Sequence, residues 1–524
     1  MAKFVNSSES ISSSLLLWND RPTQVSIEET YDMKVWPITN LLNEGPINFN
    51  IPPQPKGLLT DIHIVTKFKV QKNGQDFSPI PQPDVSVINN LANSLWSEVS
   101  VICADRTELC QSLKNAYAYQ TFFNHALNSE KNRADYLFEN ELFKMDEGLN
   151  KKSEEDLRVF WKWNHYMDSM FDDLQVEEGQ DKAKLIKAKK EGYWGTRGND
   201  NVIGGLKALV RVNNPELTGN DLKIAYDNEF DKYKAWIPTN ANRGASMRSN
   251  RVNKGQGVIL NSKFQCPLFN TTKCLPTNMK IRLSLTKNRD EFLLLCDEDA
   301  GYSIALEDCH LVVTYYRVRD EILNLIEERL QVDPIPYFIS RPEIIVRPVT
   351  QVSRIIRMSD IFKDKLPPYA FFALQRSVDF DGRFNSNSFV TVPFKKFNFY
   401  RNGVPYFTDP LEVGTIRTLG TGDYAYSDLG EYMRQLYRTI GKDSRGNCLI
   451  NSSNFHLHFM VGMSFGADRS SLAERHLNLQ EKASTQLEID MGVDDVPEDL
   501  ILIVYAVHDR QVQIDKDRMV RIID

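Results

Sequence analysis

Residues 378–406, VDFDGRFNSNSFVTVPFKKFNFYRNGVPY, allow two readings that lead to different proteins. Asp379, Asp381, Asn385 and Asn387 crowd around a glycine, as the oxygen ligands of a calcium loop do. An EF-hand loop needs glycine at its sixth position and a bidentate glutamate at its twelfth. Counted from Asp379, the glycine falls fourth, at Gly382, and the twelfth residue is Val390. The pattern fails at both places where calcium geometry is strict. Asp and Asn also bond their own backbone in turns, and Gly supplies positive φ. The stretch therefore reads as a turn that feeds Phe389–Phe399 into a sheet, its side-chain oxygens satisfying the turn backbone.

Working outward, strand patterns dominate. DIHIVTKFKV (61–70) sets Ile62, Ile64, Phe68 and Val70 on one face and His63, Lys67 and Lys69 on the other. KIRLSLTKN (280–288) and NFHLHFMVG (454–462) alternate in the same way, the mark of a strand with one face in a core. LILIVYAV (500–507) is apolar on both faces and predicts a strand buried on both. Pro, Gly and Asn clusters separate these runs at intervals that suit a sandwich or barrel. Helices are few between the strand sets: SLKNAYAYQTFFNHAL (112–127), DEILNLIEERL (320–330, with Asp320 as cap) and SDLGEYMRQLYRTIG (427–441), which ends on glycine. The second helix and the proline-rich DPIPY (333–337) mark a boundary between two strand-rich halves. Both halves run strands, helix, strands, as a duplicated sandwich does.

Composition bounds the class. A chain of 524 residues exceeds what one core serves, roughly 250–300 residues. Its 41% hydrophobic and 25% charged content is that of a soluble globular protein. No run of 18 apolar residues is present, so no membrane span is expected, and the serine-rich start, MAKFVNSSESISSSLLLWND, lacks the basic region of a signal peptide. A net charge of −7 argues against a dedicated nucleic-acid binder, which needs a basic face. Seven cysteines without a C-x-x-C motif predict reduced thiols in an intracellular compartment, where the sequons at Asn6, Asn270 and Asn451 stay unmodified.

Candidate chemistry is sparse. The glycines around 192–205 lack a phosphate-loop pattern and read as a loop. His456 and His458 share a strand face but no third ligand accompanies them, so an exposed face is expected. Nothing orients Cys448 with either histidine as nucleophile and base, and Asp494 and Asp495 sit in an acidic turn. The aromatics of 392–407 serve a core and an interface before they serve sugars or bases. The basic tract Lys182–Lys190 reads as a solvated helix face. No catalytic, cofactor-binding or metal-binding residues are assigned, and no enzyme activity is expected.

Several passages in order resemble one family. IPPQPKGLLTDIHIVTKFKVQKNG, VINNLANSLWSEVSVICADRTEL and NAYAYQTFFNHAL are similar to the first jelly roll of the major capsid proteins of Polinton/Maverick elements and related adenovirus-like, hexon-like lineages. LVVTYYRVRDEILNLIEERL and YFISRPEI resemble that family's crossover, DFDGRFNSNSFVTVPFKKFNFYRNGVPY its loop and strand, and LILIVYAVHDRQVQIDKDRMVRIID its closing strands. The chain departs from the pattern with Asn387-Ser388-Phe389 where Asn-Pro-Phe is usual and Asn402-Gly403 in place of Asp-Gly, both turn-compatible.

The resemblance covers most of 45–137 and 260–524. It implies an all-β double jelly roll, with an N-terminal arm (1–40), a first jelly roll (41–318), a linker helix and crossover (319–336) and a second jelly roll (337–524); the stretch of about 145–257, charged and helix-leaning, then basic, then glycine-rich, lies outside the resemblance and reads from its composition as a long surface insertion in the first. It further implies a homotrimer forming pseudo-hexagonal capsomers of an icosahedral shell around double-stranded DNA. The implied partners are neighbouring capsomers, penton proteins and minor or cement proteins, with little or no direct nucleic acid. The location is the virion, assembled inside the host cell. The rival readings are a jelly-roll carbohydrate- or receptor-binding protein and a jelly-roll enzyme of cupin or glycosidase type.

Overall fold

The computed structural model describes most of residues 23–146 and 243–523; 77–84, 381–386, 390–394, 419–423, 443–447 and 493–499 are the longest stretches outside it. Eight strands build the two sheets of the first sandwich, apart from the short pair Ser86–Val87 and Leu294–Leu295: β1 (Ile27–Val35), β2 (Ile47–Ile51), β3 (Gly57–Lys72), β4 (Trp96–Cys103), β5 (Thr107–Glu108), β6 (Val258–Lys263), β7 (Ile281–Lys287) and β8 (Tyr302–Val318). They form two four-stranded antiparallel sheets, ordered β1-β8-β3-β6 and β2-β7-β4-β5. In β3 the residues read as inward, Ile62, Ile64, Phe68 and Val70, are all buried, because period-two alternation leaves one face of the pleat for the core.

The second set is β9 (Ile335–Pro348), β10 (Ile355–Ser359), β11 (Tyr369–Arg376), β12 (Lys396–Arg401), β13 (Val404–Pro405), β14 (Leu411–Glu412), β15 (Val461–Ser464), β16 (Thr485–Asp490), β17 (Leu500–Ile514) and β18 (Val520–Ile523). Its sheets are β9-β17-β11-β15, with β18 on β17, and β10-β16-β12-β13, with β14 also on β12. With the short β14 and the appended β18 left out of the count, the second sandwich numbered from its first strand follows the same circuit as the first, 1-8-3-6 over 2-7-4-5. That is the double Greek key of a jelly roll, made twice by one chain. The fold is a double jelly roll.

Helices α1 (Ala116–Asn128), α2 (Ala134–Glu141) and α3 (Arg243–Val252) lie between β5 and β6. α4 (Asp320–Val332) joins the sandwiches, and α5 (Gly430–Thr439) lies between β14 and β15. α1 begins four residues later than its apolar spacing suggests, because Asn115 takes a left-handed conformation (φ 62°) and its N–H bonds to the Ser97 carbonyl. Asp320 does not cap α4; Arg319 holds that position, and Asp320 sits in the first turn, 2.9 Å from Lys56 Nζ. The alternation of 454–462 misleads: only Val461–Ser464 is strand, and residues 454–455 form a turn that buries Phe455.

Gly441 ends α5 as the sequence predicts, with φ +72°. A Cβ there would meet Ser471 Oγ at 2.5 Å and the Ala473 Cβ at 2.8 Å. Gly441→Ala is expected to lower stability by more than about 1 kcal/mol, through backbone strain and overpacking together. Urea unfolding measures it; an unchanged midpoint contradicts it.

The two cores exchange residues. The first collects the inner faces of sheets β1-β8-β3-β6 and β2-β7-β4-β5, and also Tyr337, Ile339, Val512, Ile514 and Val520 from the second half. The second core takes Tyr119, Phe122, Phe123, Ala126 and Leu127 of α1. This explains why 500–507 is apolar throughout. Ile344, Tyr505, Phe371 and Gly462 lie side by side on the outer face of their sheet, and Phe123 stacks on Tyr505 at 5.2 Å. On the opposite face Phe372 packs on Phe397 and Phe399 of β12.

Candidate functional site

The densest buried polar chemistry lies at the seam between the sandwiches. It is built from the loop before β4, from α1–α3 and from Asn387 of the second half. Asn90 adopts φ 61°, a conformation that asparagine tolerates. That turn directs Asn90 Nδ2 to Thr121 Oγ1 (2.8 Å) and lets Asn93 Nδ2 donate to Asn90 Oδ1 (2.9 Å) and Glu141 Oε2 (2.7 Å). His125 Nε2 lies 2.8 Å from the same Glu141 oxygen, and both side chains are buried. Asn89 Oδ1 accepts the backbone N–H of Asn90 and of Lys144. Asn387 Nδ2 donates to the Asn89 carbonyl at 2.9 Å, across the seam.

Arg248 of α3 closes this layer. Its guanidinium is fully buried and donates to the Val87 carbonyl (2.8 Å), the Lys144 carbonyl (2.7 Å) and Asp146 Oδ1 (2.6 Å). Ser86 and Ser249 add hydroxyl bonds to the carbonyls of Ala245 and Val85, both at 2.6 Å. The described ends of the stretch read as a surface insertion, Met145–Asp146 and α3, are thus packed inside the molecule. A buried guanidinium needs partners for its donors, and backbone carbonyls with one carboxylate supply them. Chemically, the arrangement fixes loops and helices. Among the described residues of this layer no nucleophile lies beside a base.

Other residues singled out from the sequence fall elsewhere. Asp379 lies in a one-turn helix, Ser377–Phe380, while Asp381, Gly382 and Asn385 lie outside the described residues. Asn387 donates its Nδ2 to the opposite sandwich. Phe389 forms a bridge with His458 and stacks on Phe123 at 5.3 Å. His458 is fully buried, its ring 5.6 Å from that of Phe122, where an exposed strand face was expected; His456 lies outside the described residues. Cys448 donates its thiol to the Ile450 carbonyl at 2.9 Å, and burial pushes its pKa up, the opposite of an activated nucleophile. Asp494, Asp495, Lys182–Lys190 and residues 192–205 lie outside the described residues. Among the described residues no three His, Cys, Asp or Glu side chains converge on a metal position, and no helix is long and apolar enough to cross a membrane.

A cleft of roughly 640 Å³ opens beside α1, between Gln120, Asn124 and Asn128 on one side and Phe338, Pro342 and Tyr505 on the other. Its described lining includes one charged side chain, Lys273, so no acid–base pair faces it.

The remaining feature is an open sheet face. The outer side of β1-β8-β3-β6 carries, across its middle, Val65 beside His310 and Asn261, with Trp36 resting on the His310 ring at 4.8 Å. Trp36 is 57% exposed and Ile259, on the edge strand β6, is 58% exposed. Ion pairs surround them: Lys67 and Lys69 each lie 2.8 Å from Glu307, and Lys263 lies 2.6 Å from Asp61. Apolar groups ringed by paired charges are the anatomy of a protein interface.

No family profile and no curated protein matches the chain in sequence. In structure it is similar to chains of several viruses. A chain from the cryo-EM structure of the Sputnik virophage aligns with a TM-score of 0.52 at 10% identity, covering 100% of this chain and 94% of that chain. The mavirus major capsid protein aligns at 0.49 and 10% identity, over 100% of this chain and 96% of that one. A chain of the PBCV-1 virus capsid aligns at 0.49 and 9% identity, over 97% and 99%. The Sputnik alignment shows a shared fold along the whole chain.

Proposed function

We propose that this protein is the major capsid protein of a double-stranded DNA virus or virus-like element, and that it acts by self-assembly. The observation that carries the reading is the repetition of one eight-strand circuit in a single chain, with the two sandwiches joined through exchanged core residues. Three such chains around a threefold axis place six similar sandwiches in a ring, giving near-sixfold packing from a closed trimer. The shared fold with a chain of the Sputnik virophage, a virus particle, supports the reading.

On this reading the chain divides into an arm (1–40), a first jelly roll (41–318), a crossover (319–336) and a second jelly roll (337–524). Penton and minor or cement proteins contact the trimer at its periphery. The acidic balance, −7 overall, leaves genome packaging without extensive contact to this chain.

Light scattering behind a sizing column tests this. The purified chain is expected at about 181 kDa, three times its 60.3 kDa. A mass of 60.3 kDa that persists across concentration and salt contradicts it and shifts attention to glycan screening.

A further inference from the structure

We infer that the cleft beside α1 is a binding site for an acidic oligosaccharide, a short chain of sugars that bear carboxylate or sulfate groups. The inference goes beyond the capsomer reading and does not depend on it.

The floor of the cleft is the outer face of β9 and β17. Phe338, Ser340 and Pro342 alternate onto that face beside Val507 and Tyr505. The two strands pair with each other through their backbones, so an occupant lying on this floor is recognised by side chains. One wall is a row of carboxamides: Gln120, Asn124 and Asn128 stand four residues apart and share one face of α1. Hydrogen bonds fix their orientation. Asn128 Nδ2 donates to Asn124 Oδ1 at 2.7 Å, and Gln265 Oε1 accepts from Asn124 Nδ2 at 3.0 Å and from Asn270 Nδ2 at 3.4 Å. Among the described residues this leaves Gln265 Nε2 as a donor, the Asn128 and Asn270 carboxamide oxygens as acceptors, and the Gln120 amide with both. Donors and acceptors set side by side match sugar hydroxyls, each of which is both. Phe338, 50% exposed, offers a flat apolar ring to the carbon face of a sugar.

Charge decides the class of sugar. The described lining contains Lys273 and no carboxylate, and no carboxylate pairs with Lys273 among the described residues. Its Nζ donates to the Pro336 carbonyl at 2.7 Å and lies 6.0 Å from the centre of the Phe338 ring, so a positive charge stands beside the stacking surface. Lys442 Nζ, 3.4 Å from the Asn128 carbonyl, brings a second ammonium to the amide row. An anionic group on the sugar gains charge-assisted hydrogen bonds there. The two rival classes fit less well. An extended peptide seeks an open strand edge for its backbone, and this floor is a sheet face. Duplex DNA needs a longer line of cations than two.

Isothermal titration calorimetry of the full chain tests this with two acidic probes, a heparin hexasaccharide and a hyaluronan hexasaccharide, against neutral maltohexaose and duplex DNA. At least one acidic probe is expected to bind about tenfold or more tighter than maltohexaose. Phe338→Ala and Lys273→Gln should each weaken that binding by about tenfold. Asn128→Asp, at an exposed position, should weaken it likewise by setting a like charge against the ligand, with thermal melting unchanged. Should either of the other two misfold, Asn128→Asp decides. Binding that the variants leave unchanged, or duplex DNA held as tightly as the saccharides, reduces the signal to general charge and overturns the inference. So does the failure of both acidic probes to bind. Light scattering on the same samples separates the two readings: a trimer that binds neither probe removes this inference alone, and a monomer that binds one removes the capsomer reading alone.

Discussion

Replacing Arg248 by alanine is expected to cost about 3–5 kcal/mol of folding stability, the loss typical when one partner of a buried ion pair is removed. Three interactions vanish at once: the bonds to the Val87 and Lys144 carbonyls and the pair with Asp146. The Asp146 carboxylate, 1% exposed, is left in the interior without its cation. The loop before β4 and the ends of the 145–257 stretch then lose their common anchor. Urea unfolding of Arg248→Ala should show the midpoint falling with little change in slope. A second substitution that neutralises the carboxylate facing the lost guanidinium, Asp146→Asn, should recover part of the loss, since a buried charge deprived of its ion-pair partner costs more than a neutral amide. A single variant within about 0.5 kcal/mol of wild type would place Arg248 in the class of ordinary surface positions and contradict the account.

Phe123→Ala carries a comparable effect, about 3–5 kcal/mol for a large aromatic removed from a packed core. It also acts on coupling. Phe123 belongs to the first half of the chain, yet it stacks on Phe389 at 5.3 Å and on Tyr505 at 5.2 Å, both in the second. Its removal empties the place where one sandwich plugs into the other. Calorimetry of the wild type should give one transition, because the cores share residues; Phe123→Ala should broaden or split it as the sandwiches begin to unfold separately. A lower but equally sharp transition would mean that the coupling runs through the Tyr337–Val512 side instead.

The sandwich strands were legible where local pattern and tertiary role coincide. Ile62, Ile64, Phe68 and Val70 alternate because one face of β3 meets a core and the other meets water. Residues 500–507 lose alternation because α1 covers their second face, so the sequence carried a record of the packing between sandwiches without naming the helix responsible. The seam was not legible. Arg248 sits in RGASMRSNRV, whose polarity reads as surface, and its partners Val87 and Asp146 are more than a hundred positions away in the chain. Asn387 also donates its amide to the Asn89 carbonyl, 298 positions distant, a bond that its turn-like surroundings do not announce. His458 alternates like a strand residue and is instead fully buried, its ring against Phe122. Each miss has the same physical origin. A polar residue's pattern shows that it needs a hydrogen-bond partner, and only the fold decides whether that partner is water, its own turn or a distant carbonyl.

Single-particle imaging of the purified full-length chain tests the central claim most directly. The account predicts particles with strict threefold symmetry and six sandwich-sized densities around a hexagonal base, in which the contacts within and between chains alternate. Isolated two-lobed particles at every concentration, or rings of another chain number, would contradict it.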